Sequence, residues 1–356
     1  MTEHDIAVIA GDGIGPEVTR EALKVLDATA EVFGFRTRRT EYPFGTDHYL
    51  ATKEIFPDAA FSEVKQKNAI FLGAIGDPRV PVGLIEYGII ARMRFDLDLY
   101  VNLRPVKLYD EAFCPLKDKK CSDVDMVIIR ENTEDAYTGS HGFTHKGHAN
   151  EVAVQTMVYT RGGVERVIRY GFELARTRAR KQLTLIDKAN AVRAQDLWTR
   201  TFADVAKEYP DIKTDHAYID AACMWMVKNP EWFDVAVTTN LFGDIITDLG
   251  AMIQGGMGIA ASGNLHPGSV SLFEPIHGSA PKHAGKNVSS PVAAVMAVSM
   301  MLDYLGEKQA SVAVENCVAD LLRSKRIKGV HTGAHPTNEV GDLICSEIKA
   351  RAAAAV

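Results

Sequence analysis

Three aspartates, three arginines, a lysine and a tyrosine stand where residue type and spacing could do chemistry. Asp244 and Asp248 lie in the run Asn240-Leu-Phe-Gly-Asp-Ile-Ile-Thr-Asp248, whose apolar positions fall at helical spacing from Phe242 onward. Residues four apart on a helix share a face. Two carboxylates there, with Ile245, Ile246 and Leu249 turned elsewhere, suit a hard divalent cation that takes oxygen ligands. They equally suit a solvated pair favoured by the helix dipole. A metal needs a third ligand, and Asp220, after the strand expected at Ile212–Ile219, is the candidate. Arg94, Arg104 and Arg130 each sit at or near the end of an expected element. Their guanidinium forks would fit a substrate with more than one carboxylate, although each alone reads as well as a surface residue. Lys188 follows the apolar strand Leu183–Ile186 and is a candidate general base, against the plainer reading of a strand-end lysine. Tyr137 is a candidate general acid.

The elements that must position these groups alternate. Strands are expected at Ile6–Ala10, Ala69–Ile75, Leu97–Leu103 (ended by Arg104-Pro105), Asp123–Arg130 and Val235–Val237. Helices are expected at Val18–Phe33, near Leu84–Phe95, after Thr160, at Asp196–Ala206 and from Val292. This is an α/β pattern. Gly11-Asp-Gly-Ile-Gly-Pro-Glu17 follows the first strand, but its spacing is GxGxGP and no acidic ribose partner closes a following strand. A tight turn packed near a ligand is expected there instead of a Rossmann fingerprint. Residues 139–160, rich in Gly, His and Thr, then alternate through Val152, Val154 and Thr156, as an exposed β-arm would. The run Phe273–Asn287 is a Gly/Pro-rich loop before an apolar helix. It has the composition of a phosphate or ribose site and also that of any ordered loop.

At 356 residues, 46% apolar and 24% charged, the chain is one large globular domain or two ordinary ones. A net charge of −6 without a long basic run argues against nucleic acid and anionic membranes as partners. No apolar run approaches the roughly 20 residues of a membrane helix. The acidic start lacks the features of a signal peptide. Five scattered cysteines without a CxxC pair read as reduced thiols of a cytoplasmic protein with no zinc site.

Six runs occur in order: Gly11-Asp-Gly-Ile-Gly-Pro-Glu17, Asn102-Leu-Arg-Pro105, Arg130-Glu-Asn-Thr-Glu134 with Tyr137, Asp187-Lys-Ala-Asn190, Asn240-Leu-Phe-Gly-Asp244 with Asp248, and Glu274-Pro-Ile-His-Gly-Ser-Ala-Pro281. Together, over nearly the whole chain, they resemble the β-decarboxylating dehydrogenases acting on 3-isopropylmalate, isocitrate, homoisocitrate and D-malate/tartrate. The resemblance implies the two-domain, non-Rossmann α/β fold of isopropylmalate/isocitrate dehydrogenases. One domain would combine both chain ends (1–99 and 253–356) and bind the cofactor. The other (100–252) would carry the dimer contact and the arm.

The resemblance also implies a homodimer with shared active sites and a small hydroxy-dicarboxylate or tricarboxylate substrate. Arg94, Arg104, Arg130 and Asn190 would bind it. Mg²⁺ or Mn²⁺ would sit on Asp220, Asp244 and Asp248, with Lys188 and Asp220 reaching in from the second subunit. Lys188, Tyr137 and Asp220 would be catalytic. NAD⁺ or NADP⁺ would lie on Glu274, His277, Gly278, Ser279, Ala280, Lys282, His283 and Asn287. Two positions depart from the 3-isopropylmalate pattern. After Glu86 the apolar pair reads Ile90-Ala91 where that pattern has two leucines. Isocitrate enzymes carry Ser and Asn where Gly88 and Ile90 stand, which ranks isocitrate below 3-isopropylmalate. Lys282 replaces an Asp that would accept from the ribose hydroxyls, which tilts the expectation to NADP⁺. A regulatory subunit without turnover is the alternative from another class; such subunits usually lose a catalytic Lys, Tyr or Asp, and Lys188, Tyr137 and all three Asp are present.

Overall fold

Twelve strands lie among the residues, 2–354, that the computed structural model describes: β1 (Glu3–Gly11), β2 (Arg36–Tyr42), β3 (Ala69–Ala74), β4 (Val101–Lys107), β5 (Asp125–Glu131), β6 (His141–Thr144), β7 (Val152–Gln155), β8 (Gln182–Asp187), β9 (Lys213–Tyr218), β10 (Val235–Thr238), β11 (Ala261–Leu265) and β12 (Ser271–Pro275). They divide between two units. The first comprises Met1–Leu99, Lys107–Cys121 and Ala251–Val356, and the second Tyr100–Val106 and Ser122–Gly250. The fold is α/β.

In the first unit the strands run β2-β1-β3-β12-β11. All the pairs are parallel except β11 with β12. The inner strands read as unbroken apolar runs, Ile6–Ile9 and Ile70–Leu72, because helices cover both faces of a parallel sheet. The helix Val292–Tyr304 is buried on nearly every side, as its Val/Ala/Met composition demands. The glycine turn is used for close packing. Ile14 N donates to the carbonyl of Ser279 at 2.8 Å, and a Cβ on Gly13 would stand 2.0 Å from that oxygen. Gly13 also has φ +59°, a left-handed backbone that glycine adopts without penalty. The following helix starts at Gly15, three residues before the expected Val18, with Pro16 in its first turn.

In the second unit the order is β4-β5-β10-β8-β9, with β5, β10, β8 and β9 parallel. The helix Arg161–Thr177 lays Val164, Val167, Ile168, Phe172 and Ala175 inward. β6 and β7 form a separate antiparallel hairpin, exposed along its length, where the arm was expected.

Two expectations need correction. Residues 97–100 are not strand: the preceding helix runs to Asp96, and β4 begins at Val101 and includes Arg104 and Pro105. Proline's fixed φ is compatible with extended backbone, so Pro105 interrupts nothing here. The helix near 84–96 is not uniform either, because Tyr87–Ala91 forms a π-helical turn between two short α-helical stretches. Gly13→Ala is expected to destabilise the protein by about 3 kcal/mol, since the added methyl meets backbone. A urea midpoint shifted by less than roughly 0.5 kcal/mol-equivalent would mean that the turn relaxes freely.

Candidate active site

Arg130, at the end of β5, is 2% exposed. Its Nε donates to Asn240 Oδ1 at 2.8 Å, and its Nη1 pairs with Asp244 Oδ1. The phenol of Tyr137 donates to Asp244 Oδ2 at 3.0 Å, and the guanidinium lies over that ring, 5.3 Å from its centroid. Arg104, nearly as buried, holds Asn102 Oδ1 at 2.8 Å and Thr247 Oγ1 at 3.1 Å, with Asp248 Oδ1 at 3.9 Å. Five of the expected residues, Arg104, Arg130, Tyr137, Asp244 and Asp248, therefore gather on the helix Asn240–Ile253. Asp244 and Asp248 sit one turn apart and half exposed. Burial and the neighbouring Asp244 push the Asp248 carboxyl above its usual range, and Arg104 and Arg130 pull it back. Two mutually repelling carboxylates flanked by arginines fit a chelated cation carrying an anionic ligand. Among the described residues of one chain, no three carboxylates, imidazoles or thiols gather for a metal.

Asp220 lies elsewhere, in the first turn of the helix Ile219–Lys228, paired with Lys188 Nζ at 2.6 Å. The lysine holds the Asp220 carboxyl below the ordinary carboxylate range. The pair forms because β8 and β9 run parallel with Asp187 opposite Tyr218, so the two strand ends present Lys188 and Asp220 side by side. Asn190 is exposed in the turn that follows. Beside this pair, His216 Nε2 lies 3.1 Å from Oδ2 of the fully buried Asp187. That hydrogen bond raises the imidazole above its ordinary value of 6.5.

In the first unit, Arg94 reaches Asn264 Oδ1 at 3.0 Å and Glu274 Oε1 at 3.3 Å. Glu274 belongs to β12 and not to the loop expected to carry it, and its carboxylate also accepts from Asn264 at 2.8 Å. Of the expected apolar pair, Ile90 packs against the core cluster together with Ile55 and Tyr49, while Ala91 is half-buried. Gly88 lies so close to Ile55 that a Cβ would stand 2.5 Å from its Cγ2. Glu86 sits against Gly76, and the Ser279 hydroxyl donates to the Gly76 carbonyl.

The loop Ile276–Asn287 is anchored by Glu17, which accepts from the Gly285 and Asn287 amides, the latter at 3.0 Å. Asn287 Nδ2 also donates to Asn338 Oδ1 at 2.6 Å. Ala280 has a left-handed backbone at φ +40°. Lys282 and Gly278 are exposed, and His277, whose burial pushes its imidazole below the ordinary value, and His283 are half-buried. Sequence reasoning missed Asn264, Thr247, His216 and Gln195. All four are polar residues of ordinary sequence context, and only tertiary contact marks them.

The sequence profile of the isocitrate/isopropylmalate dehydrogenase family matches residues 5–344, and the chain belongs to that family. It is therefore an enzyme, a dehydrogenase of the metal-dependent, nicotinamide-linked kind that couples oxidation to β-decarboxylation. The 3-isopropylmalate dehydrogenase of Thermobifida fusca is 46% identical over 96% of this chain and 97% of its own. That of Mycobacterium avium is 47% identical over 96% and 99%. The crystal structure of isocitrate dehydrogenase from Methylococcus capsulatus superposes with a TM-score of 0.87 at 35% identity, covering 97% of this chain and 99% of that one. No helix among the described residues is long and apolar enough to cross a membrane.

The His216–Asp187 pair carries a pH signature. Because the imidazole's value in the folded chain is raised, its contribution to stability is complete below about pH 6.5 and fades as pH rises through the folded value. Relative to His216→Gln, the wild type should have its largest excess of urea stability near about pH 5.5 and little by about pH 8.5. A difference independent of pH would mean that His216 is not an ion-pair partner.

Proposed function

We propose that this enzyme is a 3-isopropylmalate dehydrogenase, oxidising the (2R,3S)-hydroxy acid at its hydroxyl and releasing the β-carboxylate as CO₂. The observation that carries the choice among substrates is Gly88. Its backbone lies against Ile55, so a serine there, as in the isocitrate pattern, would have to displace the partly buried Ile55 side chain that packs on the core. With Ile90 and Ala91 the helix offers an apolar face to the γ-substituent. The higher identity to relatives named for 3-isopropylmalate, 46% against 35%, points the same way.

In this reading Arg104 and Arg130 hold substrate carboxylates by two-point contacts, and Arg94 supplies a third cation. Asp244, Asp248 and the partner's Asp220 would hold Mg²⁺ or Mn²⁺, which would supply Lewis-acid polarisation of the substrate's hydroxyl oxygen. The partner's Lys188, which within each chain hydrogen-bonds Asp220, takes the hydroxyl proton as hydride leaves for the nicotinamide. Tyr137, fixed between Asp244 and Arg130, delivers a proton to the carbon that has lost CO₂.

The first unit binds the dinucleotide on the Ile276–Asn287 loop, and the second carries the contact of a homodimer. Exposed Met224 and Val227 on one helix and Ile245 on the next support that contact, as do Val152 and Val154 on one face of the hairpin. Asp220's separation from Asp244 and Asp248 within one chain is what a shared site requires. The exposed ammonium of Lys282 suits a ribose 2′-phosphate, which favours NADP⁺. The five unpaired cysteines fit a cytoplasmic enzyme.

Initial rates with Mg²⁺ or Mn²⁺ on 3-isopropylmalate, isocitrate, homoisocitrate and D-malate test the substrate. The expected result is the highest kcat/KM on 3-isopropylmalate, and a preference for isocitrate would overturn it. Lys282→Asp should move the NADP⁺/NAD⁺ ratio of kcat/KM towards NAD⁺ by about tenfold or more. An unchanged ratio would remove Lys282 from the ribose site.

A further inference from the structure

A chain of partly buried hydrogen bonds runs through the second unit and joins two places that the proposed reaction uses separately. The Lys188 amide donates to Gln195 Oε1 at 2.6 Å. Gln195 Nε2 donates to the Tyr159 hydroxyl at 2.9 Å. That hydroxyl donates to Asp135 Oδ1 at 2.8 Å. Asp135 Oδ2 accepts from the Leu241 amide at 2.9 Å, in the first turn of the helix that carries Asp244 and Asp248. Gln195 and Asp135 are fully buried. The Tyr159 hydroxyl also lies 3.7 Å from Met157 Sδ, so the links that matter most are those to the two fully buried side chains: removing the hydroxyl leaves a Gln195 N–H and an Asp135 oxygen without these partners. Asp135 has a left-handed backbone at φ +71°, uncommon for a residue other than glycine. It is held there by amide–carbonyl bonds in both directions with Val158, at 2.8 and 3.3 Å. At the Lys188 end, Asp187 accepts from the Ala189 amide at 3.0 Å, so the turn is gripped on either side of the lysine.

We propose that Asp135, Tyr159 and Gln195 are positioning residues, a relay that sets the Lys188 turn and the start of the Asn240–Ile253 helix in one register. The inference rests on the reading that Lys188 acts in the partner's site while Asp244 and Asp248 act in the chain's own. On that reading the relay lies inside one subunit and ties one active site to the other. Each subunit then presents Lys188 with Asp220 to one site and Asp244 with Asp248 to the other in a fixed relation, without a contact between the two sets.

Hybrid dimers test this. A Lys188→Ala subunit paired with an Asp248→Asn subunit retains one intact site, made of Asp248 from the first and Lys188 from the second. Tyr159→Phe, which removes the hydroxyl and keeps the ring, is then placed in either subunit. Placed in the Lys188→Ala subunit it disturbs the helix end of the intact site, and in the Asp248→Asn subunit the lysine end. Both placements should lower kcat of the intact site about fivefold to tenfold, with KM for the hydroxy acid within about twofold. Gln195→Met should reproduce the effect, and Tyr159→Phe with Gln195→Met in one subunit should cost no more than the worse single change. A fall in only one placement, no fall, or additive costs would overturn the relay. An unaltered hybrid without activity would instead remove the shared-site reading, and the relay's two-site role with it.

Discussion

Arg130 is a cation taken almost wholly out of water, and such a charge is tolerated only where its donors are met. The second unit is organised to meet them. Asn240 opens its helix with a side chain that accepts from the guanidinium and donates to the Glu134 carbonyl at 3.1 Å. Gly243 comes so close that a Cβ would stand 2.4 Å from Arg130 Cγ. The run Asn-Leu-Phe-Gly-Asp is thus a set of answers to one buried charge: an amide to cap it, a missing side chain to admit it, and a carboxylate to pair with it. Because the helix must dock on Arg130 in this way, Asp244 and Asp248 inherit their places.

That constraint explains why this part of the site was legible in the sequence. Asp244 and Asp248 are related by helical periodicity, a local property, and the apolar runs of β5 and β10 announce buried parallel strands. Lys188 and Asp220 are 32 positions apart in the chain, and they meet only because β8 and β9 pair in a particular register. No local pattern encodes that register. Glu274 was expected on the loop because Gly and Pro follow it closely, and the antiparallel pairing with β11 instead draws it into strand. Arg104-Pro105 resembled a strand end because proline usually is one. The π-helical turn at Tyr87–Ala91 left no mark, since its five residues are as compatible with an ordinary α-helix.

The two regions that carry Arg104, Arg130 and Arg94 solve a shared problem differently. Arg104 and Arg130 are neutralised by aspartates that the proposed cation would also engage, so a ligand there rearranges an existing charge balance. Arg94 is satisfied by Asn264 and Glu274, which belong to the first unit's own sheet. Its position is therefore a property of that sheet alone.

The contact between Gly13 and Ser279 joins residues 266 positions apart, and β3 finds its partner β12 only after the whole second unit has been made. At the roughly 5–20 residues per second of synthesis, about ten to forty seconds separate the two strands at the ribosome. During that interval the first hundred residues hold a three-stranded fragment whose β3 flank is unpaired and strongly apolar. The nascent amino-terminal segment thus presents an apolar sheet edge in need of protection, and truncation near the carboxyl terminus strips partners from the residues that were made first.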